Sequence, residues 1–276
     1  MRIRIFFVIV TAGILGGTLA RGARIPGEIP FKLAQGFGIV VQGAIGAVNN
    51  LTFLVDTGAV PSVLSEKVAS RIGVTGVSAS FALLNENIKA HYVTVDEVRF
   101  GPIRAVGIRM VVVDLARYER LLGTRIDAII GLDILAQNFA IDYKRRKLTV
   151  GLSSSAQHVT PAEILTSSGA PYWVLPIDLR GHIFRVLLDT GADNLALFAR
   201  RIPKSVLDLR EDAPTRRLQP LVLMMGNTPL KKQSAYLVDD SPDVLGQIDG
   251  VLGPSALGIT RIEFDWGHKC LRWDTE

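Results

Sequence analysis

The feature that most constrains this chain is an Asp-Thr-Gly tripeptide that occurs twice in almost the same surroundings. The first copy lies in Leu54-Val55-Asp56-Thr57-Gly58-Ala59 and the second in Leu187-Leu188-Asp189-Thr190-Gly191-Ala192. Each copy follows an apolar run typical of a buried strand, and each is followed by alanine. The chain therefore has to fold so that one kind of turn forms at two places.

Further matching stretches follow each tripeptide in the same order. Ile129-Ile130-Gly131 follows the first copy and Val251-Leu252-Gly253 follows the second. Repeats of this kind indicate two related structural units. The sequence predicts an internal duplication, with an N-terminal lobe at 35–152, a polar linker at 153–171 and a C-terminal lobe at 172–276.

The local patterns favour strands over helices. Short runs of Val, Ile, Leu and Phe alternate with Gly, Asn and Pro throughout both halves. One helix is predicted at 65–72, where Ser65 can cap the start and Gly73 can end it. We expect an all-β fold of two pseudo-symmetric small β-barrel lobes, with the active site between them.

Composition excludes several other kinds of function. The formal net charge of +5 comes from dispersed residues, and the densest basic run, Lys144-Arg145-Arg146-Lys147, lies where the repeat predicts a hairpin turn. Nucleic acid is therefore not an expected partner. The four histidines lie in separate segments without the spacing of metal ligands, so neither a metal nor a cofactor is predicted.

The first residues resemble an export signal. Two arginines precede an apolar run and then small residues, which predicts a signal peptide at 1–22. The alternative is an uncleaved N-terminal anchor, which would be the only contact with a membrane. Cys270 is the single cysteine, so an intrachain disulfide is excluded. An exported protein without disulfides suits the bacterial periplasm.

Two aspartates in equivalent turns suggest a specific chemistry. If a two-fold axis relates the halves, Asp56 and Asp189 meet, and two carboxyl groups at close range share one proton. The aspartic protease dyad is a pair of this kind, in which one carboxylate activates a water while the other carboxyl group hydrogen-bonds the substrate carbonyl. Asp56 and Asp189 are therefore the predicted catalytic residues.

The neighbours of the two aspartates have physical roles as well. The hydroxyl groups of Thr57 and Thr190 can bond the backbone of the opposite turn and hold both loops. Gly58 and Gly191 allow a sharp turn that places an N–H near each carboxylate. The supporting loop residues are predicted to be Thr57, Gly58, Ala59, Thr190, Gly191 and Ala192.

These motifs resemble the aspartic proteases of the retropepsin and pepsin group. Asp-Thr-Gly-Ala followed by Asp193 is similar to the retroviral type, and Ile129-Ile130-Gly131 resembles the family element that crosses under the catalytic loop. The resemblance implies an aspartic endopeptidase that takes an extended polypeptide substrate and needs no cofactor. It also implies that one chain supplies both lobes, so that a monomer is expected.

The same resemblance predicts a β-hairpin flap over the substrate. The candidate lies at 80–95 and turns near Asn85-Glu86-Asn87, with Tyr92 on the returning strand. The corresponding part of the second half is shorter, so one dominant flap is expected. Pepsins commonly carry Ser or Thr where this chain has Ala59 and Ala192, and the missing hydroxyl groups predict activity at mildly acidic to near-neutral pH.

Two alternatives remain open on the sequence alone. A protein of this shape could bind peptides in the cell envelope without cutting them. A second arrangement keeps the chemistry but exchanges lobes between two chains, which gives a dimer.

Overall fold

The structure is a computed structural model of the 276-residue chain. It describes residues 26–82, 87–151, 155–167, 170–203, 206, 211–212, 217–218, 222–239 and 247–276. The predicted signal peptide at 1–22 lies outside the described residues, so it stays a prediction. Within the described part of the chain, no helix has the length and apolar character needed to cross a membrane.

The first half of the described chain holds eleven strands and three short helices. In chain order they are β1 (Gly27–Pro30), β2 (Lys32–Ala34), β3 (Gly38–Ile45), β4 (Val48–Val55), β5 (Val63–Ser65), α1 (Glu66–Ile72), β6 (Val77–Ala82), β7 (Asn87–Phe100), β8 (Ile103–Val113), α2 (Ala116–Leu122), β9 (Ala128–Ile130), α3 (Leu132–Leu135), β10 (Phe139–Asp142) and β11 (Lys147–Val150).

The described part of the second half continues with strands and includes short 3-10 helices at Ala199–Arg201 and Pro254–Leu257. In chain order its strands are β12 (His158–Pro161), β13 (Glu163–Ser167), β14 (Ala170–Leu179), β15 (His182–Leu188), β16 (Leu195–Phe198), β17 (Glu211–Asp212), β18 (Arg217–Leu218), β19 (Met224–Met225), β20 (Thr228–Pro229), β21 (Ala235–Val238), β22 (Gly250–Leu252), β23 (Ile259–Asp265) and β24 (Cys270–Thr275).

The first lobe is built on an eight-stranded sheet with the order β2-β3-β4-β9-β5-β8-β7-β6. Because β3 also pairs with β7, six of these strands close into a small barrel. Strand β9 lies parallel to β4 and antiparallel to β5, and β5 lies parallel to β8. Strand β4, which ends just before Asp56, therefore runs through the middle of the lobe.

The second lobe repeats this arrangement in a ten-stranded sheet. Its central strands follow the order β21-β16-β22-β15-β14. Strand β22 lies parallel to β15 and antiparallel to β16, and β16 lies parallel to β21. The pairing directions match those of β9, β4, β5 and β8, so the two lobes are pseudo-symmetric. The predicted all-β fold class is confirmed.

A third sheet joins the two halves. Its six strands have the order β1-β11-β10-β23-β24-β12, and β10 of the first half pairs with β23 of the second. Phe139 stacks on Phe264 across this pair, with ring centroids 4.3 Å apart, and Trp173 packs edge-on against Phe264. All three side chains are buried, so the core continues from one half into the other.

Several local predictions can be compared with the structure. Helix α1 begins after Ser65, whose Oγ accepts a hydrogen bond from the Val68 amide, and it ends at Gly73 with φ of 69°, as predicted. The basic run at 144–147 lies in the turn between β10 and β11, with Lys147 as the first residue of β11, which confirms the hairpin turn. The stretch at 153–171 carries β12 and β13, and the lobe boundaries stay predictions.

Candidate active site

Asp56 and Asp189 occupy equivalent positions in the two lobes. Each follows the last residue of a central strand, Val55 of β4 or Leu188 of β15. The Asp56 amide donates to the Ile130 carbonyl at 3.0 Å, and the Asp189 amide donates to the Leu252 carbonyl at 3.0 Å. The apolar strand residues before each aspartate are buried on both faces, which explains why the local sequence folds this way.

Each turn directs a backbone amide at its own carboxyl group. The Gly58 amide donates to Asp56 Oδ1 at 2.8 Å, and the Gly191 amide donates to Asp189 Oδ1 at 2.7 Å. Glycine is also required by the approach of the opposite carboxyl group, because a Cβ on Gly191 would lie 2.4 Å from Asp56 Oδ2. The Asp56 carboxyl group therefore lies against the second turn.

The two threonines join the turns to each other. Each backbone amide, of Thr57 and of Thr190, donates to the hydroxyl oxygen of the other threonine at 3.0 Å. Thr57 Oγ1 then donates to the Leu188 carbonyl at 2.8 Å, and Thr190 Oγ1 donates to the Val55 carbonyl at 3.1 Å. These are the contacts predicted for the two hydroxyl groups. They are buried and fix the relative position of the two aspartates.

The second matching element lies directly beneath each turn. A Cβ on Gly131 would lie 1.9 Å from the Ala59 carbonyl oxygen, and one on Gly253 would lie 2.2 Å from the Ala192 carbonyl oxygen. Only glycine allows these close approaches. Ala59 and Ala192 are fully buried and bring no hydroxyl group to the carboxylates.

Burial dominates the electrostatics of the two carboxyl groups. Asp56 and Asp189 each have 0% of their surface exposed. Burial raises the pKa of Asp56 to about 6, although hydrogen bonds involving Asp189 and the turn amides lower it in part. Burial and the nearby Asp56 charge raise the pKa of Asp189 well above its usual range. The pair therefore holds one proton more readily than two ordinary aspartates would.

Each of the two neighbouring carboxyl groups keeps one oxygen without a partner. Asp56 Oδ2 and Asp189 Oδ2 are both buried and receive no hydrogen bond from other described groups. The two side chains lie close enough to hydrogen-bond once one of them carries a proton. An unpartnered buried carboxylate oxygen is costly, so this pair favours the singly protonated form and a polar ligand.

Sequence reasoning missed a group of polar residues on the Asp56 side alone. Ser62 and Asp133 are buried and hydrogen-bonded to each other, with Ser62 Oγ donating to Asp133 Oδ1 at 2.6 Å. The corresponding positions of the second half are Leu195 and Ser255. The sequence does carry a sign of this difference between the halves. Two positions after the matching glycines, Gly131 and Gly253, the residue is Asp133 in the first half and Ser255 in the second.

The predicted flap coincides with a long hairpin. Strands β6 and β7 pair from Val77 opposite Tyr92 to Ala82 opposite Asn87. Asn85 and Glu86 lie outside the described residues, and Asn87 opens β7. Tyr92 is half-buried, and the Arg109 guanidinium lies over its ring at 5.4 Å from the centroid. Within the described residues, the matching hairpin of the second half, β17 with β18, pairs two residues on each strand.

Metal ligands are not grouped in the part of the chain that the structure describes. Within it, no three His, Cys, Asp or Glu side chains lie together in an arrangement that could hold a metal ion.

Comparison with known proteins agrees with this geometry. Residues 41–134 match a family model described as Aspartyl protease, a region that includes the Asp56 turn and Gly131. The chain is similar to the solved structure of an aspartic proteinase from Irpex lacteus, with 16% sequence identity and a TM-score of 0.58. The similarity covers 91% of this chain and 97% of that one, so it spans both lobes. The comparison with curated proteins gives no match. The chain has the aspartic protease fold.

Proposed function

We propose that this protein is an aspartic endopeptidase in which Asp56 and Asp189 form the catalytic pair. The observation that carries the proposal is the meeting of two buried carboxyl groups, one from each lobe, with an unpartnered oxygen on each. The threonine hydrogen bonds hold this arrangement rigidly before any substrate binds. The match of residues 41–134 to a family described as Aspartyl protease supports the same conclusion.

In the proposed mechanism the pair acts on a water molecule bound between the two free oxygens. The ionised carboxylate takes a proton from this water as it attacks the peptide carbonyl carbon. The protonated carboxyl group donates a hydrogen bond to the carbonyl oxygen, where negative charge develops. When the tetrahedral intermediate collapses, a proton passes to the leaving amine, and a single shared proton is restored to the pair. No covalent bond between enzyme and substrate forms.

The raised pKa values define the pH range in which this mechanism operates. The reaction needs one ionised and one protonated carboxyl group. Because burial raises the pKa of Asp56 to about 6 and raises that of Asp189 well above its usual range, the singly protonated state extends to higher pH than in two ordinary aspartates. We therefore expect a bell-shaped rate profile whose acidic limb lies near pH 6.

Substrate access requires a movement, because neither carboxyl group has exposed surface. The β6–β7 hairpin is the proposed flap, and its opening would admit an extended polypeptide to the cleft between the lobes. The substrate backbone would then pair with the hairpin, with apolar side chains on both sides of the cut bond. We further propose a monomer that is exported to the periplasm, with the signal peptide at 1–22 removed.

The proposal is tested by incubating the purified protein with casein between pH 3 and pH 8. Wild-type protein, Asp56→Asn and Asp189→Asn are compared at equal folded concentration, checked by circular dichroism. Casein cleavage by the wild type alone supports the proposed pair. Binding of casein without cleavage by any of the three would identify a peptide-binding protein, and equal cleavage by all three would place catalysis elsewhere.

A further inference from the structure

Hydrogen bonds hold the turn that carries Asp56 at both of its ends, and among the described residues the side-chain contact at the second end occurs in the first lobe alone. At its start, the Asp56 amide donates to the Ile130 carbonyl. At its end, Asp133 Oδ2 accepts from the Ser62 amide at 2.9 Å, and Asp133 Oδ1 accepts from Ser62 Oγ. One carboxyl group thus binds both the backbone and the side chain of Ser62.

Ser62 also links Asp133 to Gly131, the glycine beneath the turn. The Gly131 amide donates to Ser62 Oγ at 2.9 Å, and the Ile134 amide donates to Asp133 Oδ1 at 3.1 Å. Ser62 is fully buried and Asp133 is 9% exposed, so water does not readily replace these bonds. The network therefore ties residues 56–62 to the start of α3.

A residue of the opposite lobe touches the same turn. The hydroxyl group of Tyr172, on β14, donates to the Val60 carbonyl at 3.4 Å. Burial, together with the charges of Asp133 and Asp56, raises the pKa of Tyr172. The charges of Asp133 and Asp56 thus both act on the hydroxyl group of Tyr172.

The second turn is held differently. Leu195 and Ser255 stand at the positions of Ser62 and Asp133, and the Gly253 amide donates to the Asn194 backbone carbonyl at 3.0 Å. A backbone contact there replaces the side-chain network. The two catalytic turns therefore share the same Asp-Thr-Gly geometry. The Asp56 turn is held at its end by side-chain hydrogen bonds, whereas the Asp189 turn is held there by a backbone hydrogen bond.

We propose that Asp133 is a positioning residue, which acts through Ser62 to hold the Asp56 turn in its reactive geometry. Asparagine cannot replace the carboxylate here, because the Ser62 and Ile134 backbone amides donate to different oxygens of Asp133 and an amide group offers one oxygen. The effect on catalysis rests on the proposed function, whereas the effect on the turn does not.

The test is hydrogen exchange measured by mass spectrometry on the full chain, comparing amides 57–62 with amides 190–195. Asp133→Asn should increase exchange at 57–62 by about tenfold or more, as expected for a buried hydrogen bond that is lost. Exchange at 190–195 should stay unchanged. The matched control is Asp127→Asn, since Asp127 is also buried and accepts from the Thr52 amide at 2.9 Å, away from the turn.

Unchanged exchange at 57–62 in Asp133→Asn would overturn the proposal, as would equal increases in both segments. If Asp133→Asn does not fold, Ser62→Ala, which removes only the hydroxyl contacts, gives the same comparison. In an active enzyme, Asp133→Asn should lower kcat about 10- to 100-fold and change KM less than about threefold. If the wild-type protein cuts no peptide, the proposed function is refuted. The exchange result would still decide the role of Asp133.

Discussion

Thr57 and Thr190 exchange a reciprocal pair of hydrogen bonds, with each backbone amide 3.0 Å from the hydroxyl oxygen of the other residue. The two residues are 133 positions apart in the chain. Their contact lies between the two lobes and beside both aspartates. It connects the relative position of Asp56 and Asp189 to the association of the lobes.

Removing one threonine hydroxyl should damage both stability and activity. Thr57→Ala leaves the Thr190 amide and the Leu188 carbonyl without their partner in a buried place. The expected loss is about 2–4 kcal/mol, which lowers Tm by roughly 5–10 °C in a protein of this size. Calorimetry measures the stability and casein cleavage the activity. Thr57→Ser is the control, since it keeps the hydroxyl group. Equal damage by both substitutions would show that the methyl group matters instead.

The rate of peptide cleavage should be greatest near or above pH 6. Below that pH a second proton binds the pair and removes the general base, because burial raises the pKa of Asp56 to about 6. At higher pH the last proton leaves and the general acid is lost. The measurement is kcat/KM for one peptide across pH 3 to 9. A maximum below about pH 3.5 would contradict this account, since it lies under the pKa of an ordinary aspartate.

A hydroxyl group next to the carboxylates should move the acidic limb to lower pH. Ala59 and Ala192 directly follow the glycines of the two turns, and we expect a serine there to donate a hydrogen bond to the charged carboxylate, which favours ionisation. Ala192→Ser is expected to shift the limb down by about one pH unit. The same profile on this variant measures the shift. A limb that stays in place would mean that burial alone sets the pKa values.

Removing one buried carboxyl group should stabilise the protein at high pH. Both folded-state pKa values are raised above the usual 3.8, so the pair contributes its full stability below about pH 4 and loses it as pH rises through the folded values. Asp189→Asn avoids this loss and can still donate to Asp56. Its Tm should equal that of the wild type at pH 4 and exceed it by roughly 5 °C or more at pH 8. A Tm difference that does not change with pH would contradict the assigned shifts.

The glycines beneath the turns should tolerate no side chain. A Cβ on Gly131 would lie 1.9 Å from the Ala59 carbonyl oxygen, a backbone atom that cannot move without displacing the Asp56 turn. Gly131→Ala is therefore expected to abolish cleavage and to cost more than about 4 kcal/mol of stability. Gly267→Ala is the control, because its Cβ meets only Asp265 Oδ1 at 3.6 Å. Chemical denaturation of both variants provides the comparison.

The sequence predicted the parts of the fold that a local motif determines. Asp-Thr-Gly specifies a turn, a carboxyl group and a hydroxyl group within three residues, so the pairing of Asp56 with Asp189 followed from the repeat. The joining sheet could not be predicted in this way, because the pairing of Phe139 with Phe264 depends on how two distant halves approach. The contact between Ser62 and Asp133 is likewise set by β5 and β9 lying side by side.

The central claim is that one carboxyl group from each lobe performs the reaction. It is tested most directly by measuring kcat/KM on a single synthetic peptide at pH 6 for the wild type, Asp56→Asn, Asp189→Asn and the Asp127→Asn control. We expect a loss of at least about 1,000-fold in each of Asp56→Asn and Asp189→Asn and a change below about threefold in the control. Retention of wild-type kcat/KM by either Asp56→Asn or Asp189→Asn would show that its carboxyl group does not perform the reaction.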